Sequence, residues 1–267
     1  MLHPDAFLAF LIGIVEGLTE FLPISSTGHI ILAERIIGFH PPGKVFDIAI
    51  QPGAILAVLW VYRQRFFDAV TGLASERRQQ RFVANVLVAF LPAAIIGFLV
   101  YRHIKELLEH PEIVAVTFIV GGLAILAAER WRPPPRVQDV DQMRLSTALG
   151  IGFFQCLAMI PGMSRSGSTI IGALLLGVDR KPATEFSFFL AIPTIVAAGA
   201  YDIFKHRAEL SGADLQVIAI GFVTSFVCAL IVVRTLVGFV SRHGFGPFAW
   251  YRIAAGIAAL AALLLVR

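Results

Sequence analysis

Two carboxylates four residues apart, Glu16 and Glu20, are followed by Pro23 and then by Ser25, Ser26, Thr27 and His29, all inside otherwise apolar sequence. At that spacing the two acids share one face of a helix, and their mutual repulsion calls for a cation or a basic partner. Pro23 stops the helix, and the hydroxyl residues after it suit a new helix start, where unpaired N–H groups and the helix dipole favour anions. Acids before a break and hydroxyls after it outline a phosphate and metal site. A second break reads Pro161-Gly-Met-Ser-Arg-Ser-Gly-Ser-Thr169. Here Arg165 lies between Ser164 and Ser166, where a guanidinium fork and helix-start amides can bind phosphate oxygens together. Gly162 and Gly167 permit close backbone approach, and Thr169 adds a hydroxyl. One break supplies carboxylates and His29, the other a cation and further hydroxyls.

Each of these residues also has a structural reading. Glu16 and Glu20 would serve as a polar pair in a helix bundle, although ionisable groups at membrane depth are more often functional. Ser25, Ser26 and Thr27 would cap a helix, His29 would pack with one hydrogen bond, and Arg165 would pair with an acid from the other break. Gln51, Asp47 and Glu185 divide evenly between inter-helix hydrogen bonding and the surroundings of the site. The remaining histidines, His3, His40, His103, His110, His206 and His243, lack metal-ligand spacing.

The elements that carry these residues belong to a membrane. The 267 residues are 57% hydrophobic and 15% charged, and mean hydropathy is +0.80. The apolar content covers the whole length, so residues 1–267 form one polytopic domain. The opening Met1-Leu-His-Pro-Asp has an acid and no basic segment ahead of the first apolar run, so uncleaved insertion is expected. The net charge of +4 reflects basic loops against anionic headgroups and points to no nucleic-acid partner. Cys156 and Cys228 sit in apolar runs as packing residues.

A span needs about 20 apolar residues. Segments 5–20 and 26–38 are too short to cross separately and suit a re-entrant helix hairpin. A turn-rich loop follows from Gly38 to Lys44, then spans at 46–62, 82–101 and 113–130. The basic loop Arg63 to Arg81 and the polar segment Arg102 to Glu112 separate these spans. After the proline-rich stretch beginning at Arg130, segments 145–160 and 165–177 are again short and broken, and spans at 183–201, 213–236 and 248–266 complete the chain. Laid over one another without a gap, Gly13 falls on Gly152, Glu16 on Gln155, Ser25 on Ser164, Ser26 on Arg165 and Gly28 on Gly167. Three spans lie between the two hairpins, so the halves, about 5–103 and 144–240, enter from opposite faces. The expected fold is an all-α integral membrane protein: six transmembrane helices plus two re-entrant helix hairpins in an inverted-topology internal repeat. Arg63, Arg65, Arg77, Arg78, Arg81, Arg130, Arg132, Arg136, Arg144, Arg180, Lys181, Arg234 and Arg242 fall on one side; Lys44, Arg102, Lys105, Lys205, Arg207 and Arg267 fall on the other. The richer side is expected in the cytoplasm, with both termini and the first hairpin's opening outside.

The two breaks also carry a resemblance. Glu16-Gly-Leu-Thr-Glu-Phe-Leu-Pro-Ile-Ser-Ser-Thr-Gly-His29 and Pro161-Gly-Met-Ser-Arg-Ser-Gly167 resemble the paired signatures of the bacterial undecaprenyl-pyrophosphate phosphatases of the bacitracin-resistance type. The likeness covers essentially the whole chain, including Phe46-Asp-Ile-Ala-Ile-Gln-Pro-Gly53 and Glu185-Phe-Ser-Phe-Phe189. Met163 stands where that family often has Thr or an aromatic residue, and Asp47 where Glu is common. The resemblance implies dephosphorylation of a C55 lipid pyrophosphate to the monophosphate carrier, outside the cytoplasm and with a divalent cation. Such recycling serves cell-wall synthesis at the bacterial inner membrane and confers bacitracin resistance. The implied partners are the polyprenyl pyrophosphate and membrane lipids, with a homodimer left open.

Read onto this chain, Glu16 and Glu20 would hold Mg²⁺ or Ca²⁺. Arg165 would neutralise charge on the transferred group, Ser26 would attack phosphorus, and His29 would take or relay the proton. Ser25, Thr27, Ser164, Ser166, Thr169 and Gly162 would bind substrate oxygens. An activated water rivals Ser26. A secondary transporter or lipid flippase is the alternative that inverted repeats suggest. A phosphatidic-acid-type phosphatase would require a second histidine downstream of Ser-Arg, and residues 166–205 contain none.

Overall fold

A computed structural model of the chain describes residues 4–38, 46–108, 110–206 and 212–265. His3, His40, Lys44, Arg207 and Arg267, and most of the loop expected after Gly38, lie outside the described residues.

Apolar sequence of this length resolves its backbone polarity by forming helices, the structure that satisfies every interior N–H and C=O within one segment. In order these are α1 (Pro4–Thr19), α2 (Ser26–Ile37), α3 (Phe46–Val61), α4 (Arg63–Thr71), α5 (Arg77–Leu108), α6 (Pro111–Trp131), α7 (Leu145–Gln155), α8 (Arg165–Leu175), α9 (Arg180–His206), α10 (Gly212–His243) and α11 (Gly246–Leu265). Short 3₁₀ turns occupy Val140–Gln142 and Cys156–Met159. Among the described residues no strand forms, and Val137 and Val178 make one isolated parallel bridge.

Helices α5, α6, α9, α10 and α11 are long and apolar enough to cross a membrane, and α3 with α4 makes a sixth candidate bent by 76°. The protein is an all-helical, multi-pass membrane protein. The span expected at 46–62 is α3 almost to the residue, and the basic loop expected after it begins with a helix bent by 76° from α3. Arg63 starts α4 as the chain turns, because a new helix pairs its backbone where a loop would leave it to water. The polar segments expected after residues 101, 201 and 236 are likewise helical for part of their length, since α5, α9 and α10 run on past their apolar runs.

Packing follows the internal repeat. Helix α1 lies against α10 while its counterpart α7 lies against α5; α10 also covers α3, α5 also covers α9, and α6 pairs with α11. Equivalent small residues make these approaches. A Cβ on Gly13 would come within 2.6 Å of the Gly221 carbonyl, and one on Gly152 would meet the Ala89 carbonyl. The main core gathers around Phe186, Phe188 and Phe189 of α9. Phe188 meets Phe21 edge-on at 5.2 Å, which anchors the first break to the second half of the chain.

The expected side assignment has a structural correlate. Arg65 and Arg78 both pair with Asp141, Arg180 pairs with Glu129 at 2.6 Å, and Arg132 reaches Asp179 at 3.6 Å. Glu129 also accepts the Phe245 N–H at 2.8 Å. Loops assigned to one side thus meet at one end of the bundle.

Candidate active site

Both breaks end in the same local geometry. Ser25 caps α2 at φ 71° and Ser164 caps α8 at φ 71°, each accepting an N–H three residues on, from Gly28 at 3.4 Å and Gly167 at 3.1 Å. Positive φ strains a non-glycine residue and survives only where its surroundings hold it. Arg252 of α11 does much of that holding. It is fully buried and donates to the carbonyls of Pro23 (3.1 Å), Met163 (3.2 Å), Gly162 (2.8 Å), Thr117 (2.9 Å) and Phe118 (3.2 Å). One guanidinium therefore clamps the first break, the second break and α6. Gly162 must be glycine here: its φ is +85°, and a Cβ would strike Thr117 Oγ1, which donates to the Pro161 carbonyl at 2.6 Å.

The clamp brings the reactive side chains together. Arg165 donates to Glu20 Oε1 at 2.8 Å and to the Ser187 carbonyl at 2.9 Å, and the Ser26 hydroxyl donates to Glu20 Oε2 in a short contact. Ser26, Glu20 and Arg165 thus form one hydrogen-bonded chain across the two breaks. Ser166 crosses the same junction by donating to the Leu22 carbonyl at 2.7 Å and also meets Ser164 Oγ at 3.0 Å. Thr169 donates within α8 and lies 2.8 Å from the Ser187 hydroxyl, so it supports α9 behind the site. Ser187 gives the stretch Glu185 to Phe189 its polar function, whereas Glu185 faces Tyr62. Thr27 is exposed and lines the cavity described below.

His29 is oriented away from this chain. The Ser25 carbonyl can only accept, so His29 Nδ1 donates to it at 2.7 Å, and Nε2 then accepts from the Tyr251 hydroxyl at 2.8 Å. The ring stacks on Tyr251 at 5.6 Å and lies 5.1 Å from Phe118. The acceptor facing Ser26 is Glu20, where the helical spacing pointed to His29. The positive φ at Ser25 redirects the start of α2, which helical spacing alone does not convey.

Glu16 is fully buried beside Glu20, and among the described residues neither of its carboxylate oxygens has a hydrogen-bond partner. Such a carboxylate is costly to bury without a cation. Among the described residues no group of three or more His, Cys, Asp or Glu side chains gathers as a metal cage. Two adjacent carboxylates nevertheless fit Mg²⁺ as it is bound beside substrate phosphates, by one or two protein carboxylates plus phosphate and water oxygens.

Glu20, Ser25, Ser26, Thr27, Gly162, Ser164 and Arg165 line a cavity of ≈ 580 Å³. Its far wall is apolar, built from Phe90, Ala94 and Phe98 of α5 and Ile195 and Ala198 of α9. Gln51 and Gln155 line it too, and Thr194 donates to Gln155 Oε1 at 3.3 Å. Arg252 and Tyr251 were the residues absent from the sequence reading. Their signal was a cation inside the apolar run at 248–266, where an ionisable group needs a reason.

The residue pattern of the family described as bacitracin resistance protein BacA matches residues 9–258. The chain belongs to this family. It is 53% identical over 260 residues to undecaprenyl-diphosphatase 2 of Paramagnetospirillum magneticum, covering 97% of this chain and 99% of that one. It is 56% identical over 255 residues to undecaprenyl-diphosphatase 2 of Rhodospirillum rubrum, covering 95% and 93%. Undecaprenyl-diphosphatase of Methylococcus capsulatus is 52% identical over 261 residues, covering 97% and 96%. The matched region covers both breaks and the part of α11 up to residue 258, so the Arg252 clamp and the site lie within it.

Proposed function

We propose that this protein is a membrane hydrolase that converts undecaprenyl pyrophosphate to undecaprenyl phosphate and inorganic phosphate, returning the lipid carrier to cell-wall synthesis and so conferring bacitracin resistance. The observation that carries this reading is the chain Ser26, Glu20 and Arg165, assembled from two distant breaks in a cavity that α5 and α9 line with apolar residues. A diphosphate fits the polar end, and the first prenyl units fit between α5 and α9. The paired helix starts of α2 and α8 add backbone amides for phosphate oxygens, with Ser25, Thr27, Ser164 and Ser166 around them.

Ser26 Oγ attacks the terminal phosphorus while Glu20 takes its proton. The new O–P bond forms as the bond to the bridging oxygen breaks, and lipid monophosphate leaves with the electron pair. Arg165 stabilises the equatorial charge of the transferred group. Glu20 passes the serine proton to the departing lipid monophosphate, and the restored carboxylate then activates a water that attacks the phosphoserine, breaking the Ser26 O–P bond, releasing phosphate and returning a proton to Ser26 Oγ. Glu16 and Glu20 would hold a divalent cation, which when bound supplies charge neutralisation on the diphosphate oxygens. His29, tied to Tyr251, is a positioning residue that fixes the start of α2.

The positive-inside rule supports a site open to the outer face of the bacterial inner membrane, with the arginine-rich end in the cytoplasm. The test is phosphate release from prenyl diphosphate by detergent-purified protein with and without a chelator. Turnover that is lost with chelator and restored by Mg²⁺ is expected. Absence of phosphate release under all conditions would overturn the reading and favour a transporter, which needs a membrane and no hydrolysis.

A further inference from the structure

Gln155 occupies, in the second half of the chain, the position that Glu16 occupies in the first. It ends α7, is 2% exposed and lines the cavity alongside Glu20, Ser26 and Arg165. Its two ends are treated differently. Oε1 lies 3.3 Å from the Thr194 hydroxyl, whose single hydrogen goes mainly to the Leu190 carbonyl at 2.7 Å, whereas Nε2 has no hydrogen-bond partner among the described residues. A buried amide nitrogen without an acceptor costs free energy until one arrives. The Thr194 contact orients the carboxamide, and its buried nitrogen is the end left without an acceptor beside the cavity.

The chemistry of a ligand there follows from the donor. A neutral NH₂ group selects an acceptor-rich oxygen and repels no anion, while a carboxylate at this position would repel one. At this equivalent pair the repeat places an acid in the first half and an amide in the second. We propose that Gln155 is a substrate-binding residue whose carboxamide donates to a phosphate oxygen of the lipid diphosphate, a role that rests on the phosphatase reading above. The amide makes the second half the anion-binding side, and Glu16 makes the first half the cation-binding side.

The test is calorimetric binding of farnesyl methylenediphosphonate, a hydrolysis-resistant prenyl diphosphonate, to the full-length purified protein at pH 8 with Mg²⁺. Gln155→Met removes the donor at nearly constant volume. Gln155→Glu keeps an acceptor for Thr194 while replacing the donor with an anion. Loss of one hydrogen bond to a charged oxygen corresponds to weakening by roughly tenfold or more. Both variants are expected to bind at least about fivefold more weakly than the parent, with the Glu variant the weaker. A carboxylate repels the anion whether or not the amide donates, so the Met variant decides: a purely structural role predicts parent-like binding by Gln155→Met at an unchanged melting temperature. Binding by either variant within about fivefold of the parent overturns the proposal. If the Met variant does not fold, Gln155→Leu, which also lacks the donor and carries no charge, is measured in its place and decides on the same criterion. Failure of the parent protein to bind the probe would instead reject the phosphatase reading of the cavity, and this inference with it.

Discussion

Ser26, Glu20 and Arg165 show how little of a reactive geometry depends on nearness in sequence. Glu20 accepts from both partners, so one carboxylate ties the serine hydroxyl of the first break to the guanidinium of the second. Glu20→Gln keeps the shape but cannot act as a base, and phosphate release should fall by about 10²- to 10⁴-fold. Ser26→Ala distinguishes the two nucleophiles. A serine nucleophile predicts loss of turnover and a phosphoserine trappable by acid quench in the parent protein, whereas Ser26→Ala retaining most turnover would favour water. The pairing of acids in one break with a cation in the other was legible in the sequence, because ionisable residues in apolar surroundings stand out. The choice of Glu20 over His29 as the partner of Ser26 was not, since it depends on one positive φ at Ser25 and on a tyrosine at residue 251.

At the scale of elements, hydropathy located the broken helices well because Pro23 and Pro161-Gly162 interrupt runs too short to cross a membrane. It missed α4, whose mixed composition resembles a polar loop, and it missed the clamp on α11. A single arginine in an apolar run reveals its purpose only when five carbonyls from three elements converge on it. Arg252→Met would leave those carbonyls buried without a donor, a loss of more than about 3 kcal/mol at the cost typical of unsatisfied groups. A clearly lowered melting temperature in detergent, together with lost phosphate release, is expected; an unchanged melting temperature would remove the clamp. Gly17 packs so closely on α10 that a Cβ would lie 2.7 Å from that of Cys228. Gly17→Leu should therefore destabilise the protein by about 1–3 kcal/mol through overpacking, measurable by the same melts.

The whole molecule is two similar halves whose equivalent helices exchange partners, α1 with α10 and α7 with α5, so that the breaks face each other at one cavity. Orientation is tested by labelling single cysteines placed in a background without Cys156 and Cys228. Ser75→Cys, at the arginine-rich end, should resist an impermeant maleimide added to intact cells, and His103→Cys, at the other end, should react; the reverse pattern would invert the topology. The central claim, that the two halves build one reaction centre, is tested most directly by a double-mutant cycle on phosphate release with Glu20→Gln, Arg165→Ala and the pair. Each single change should cost about 10²-fold or more, and the pair should cost little beyond the worse single change, as groups acting as a unit do. Undiminished release in either single variant, or losses that simply multiply in the pair, would contradict a shared centre.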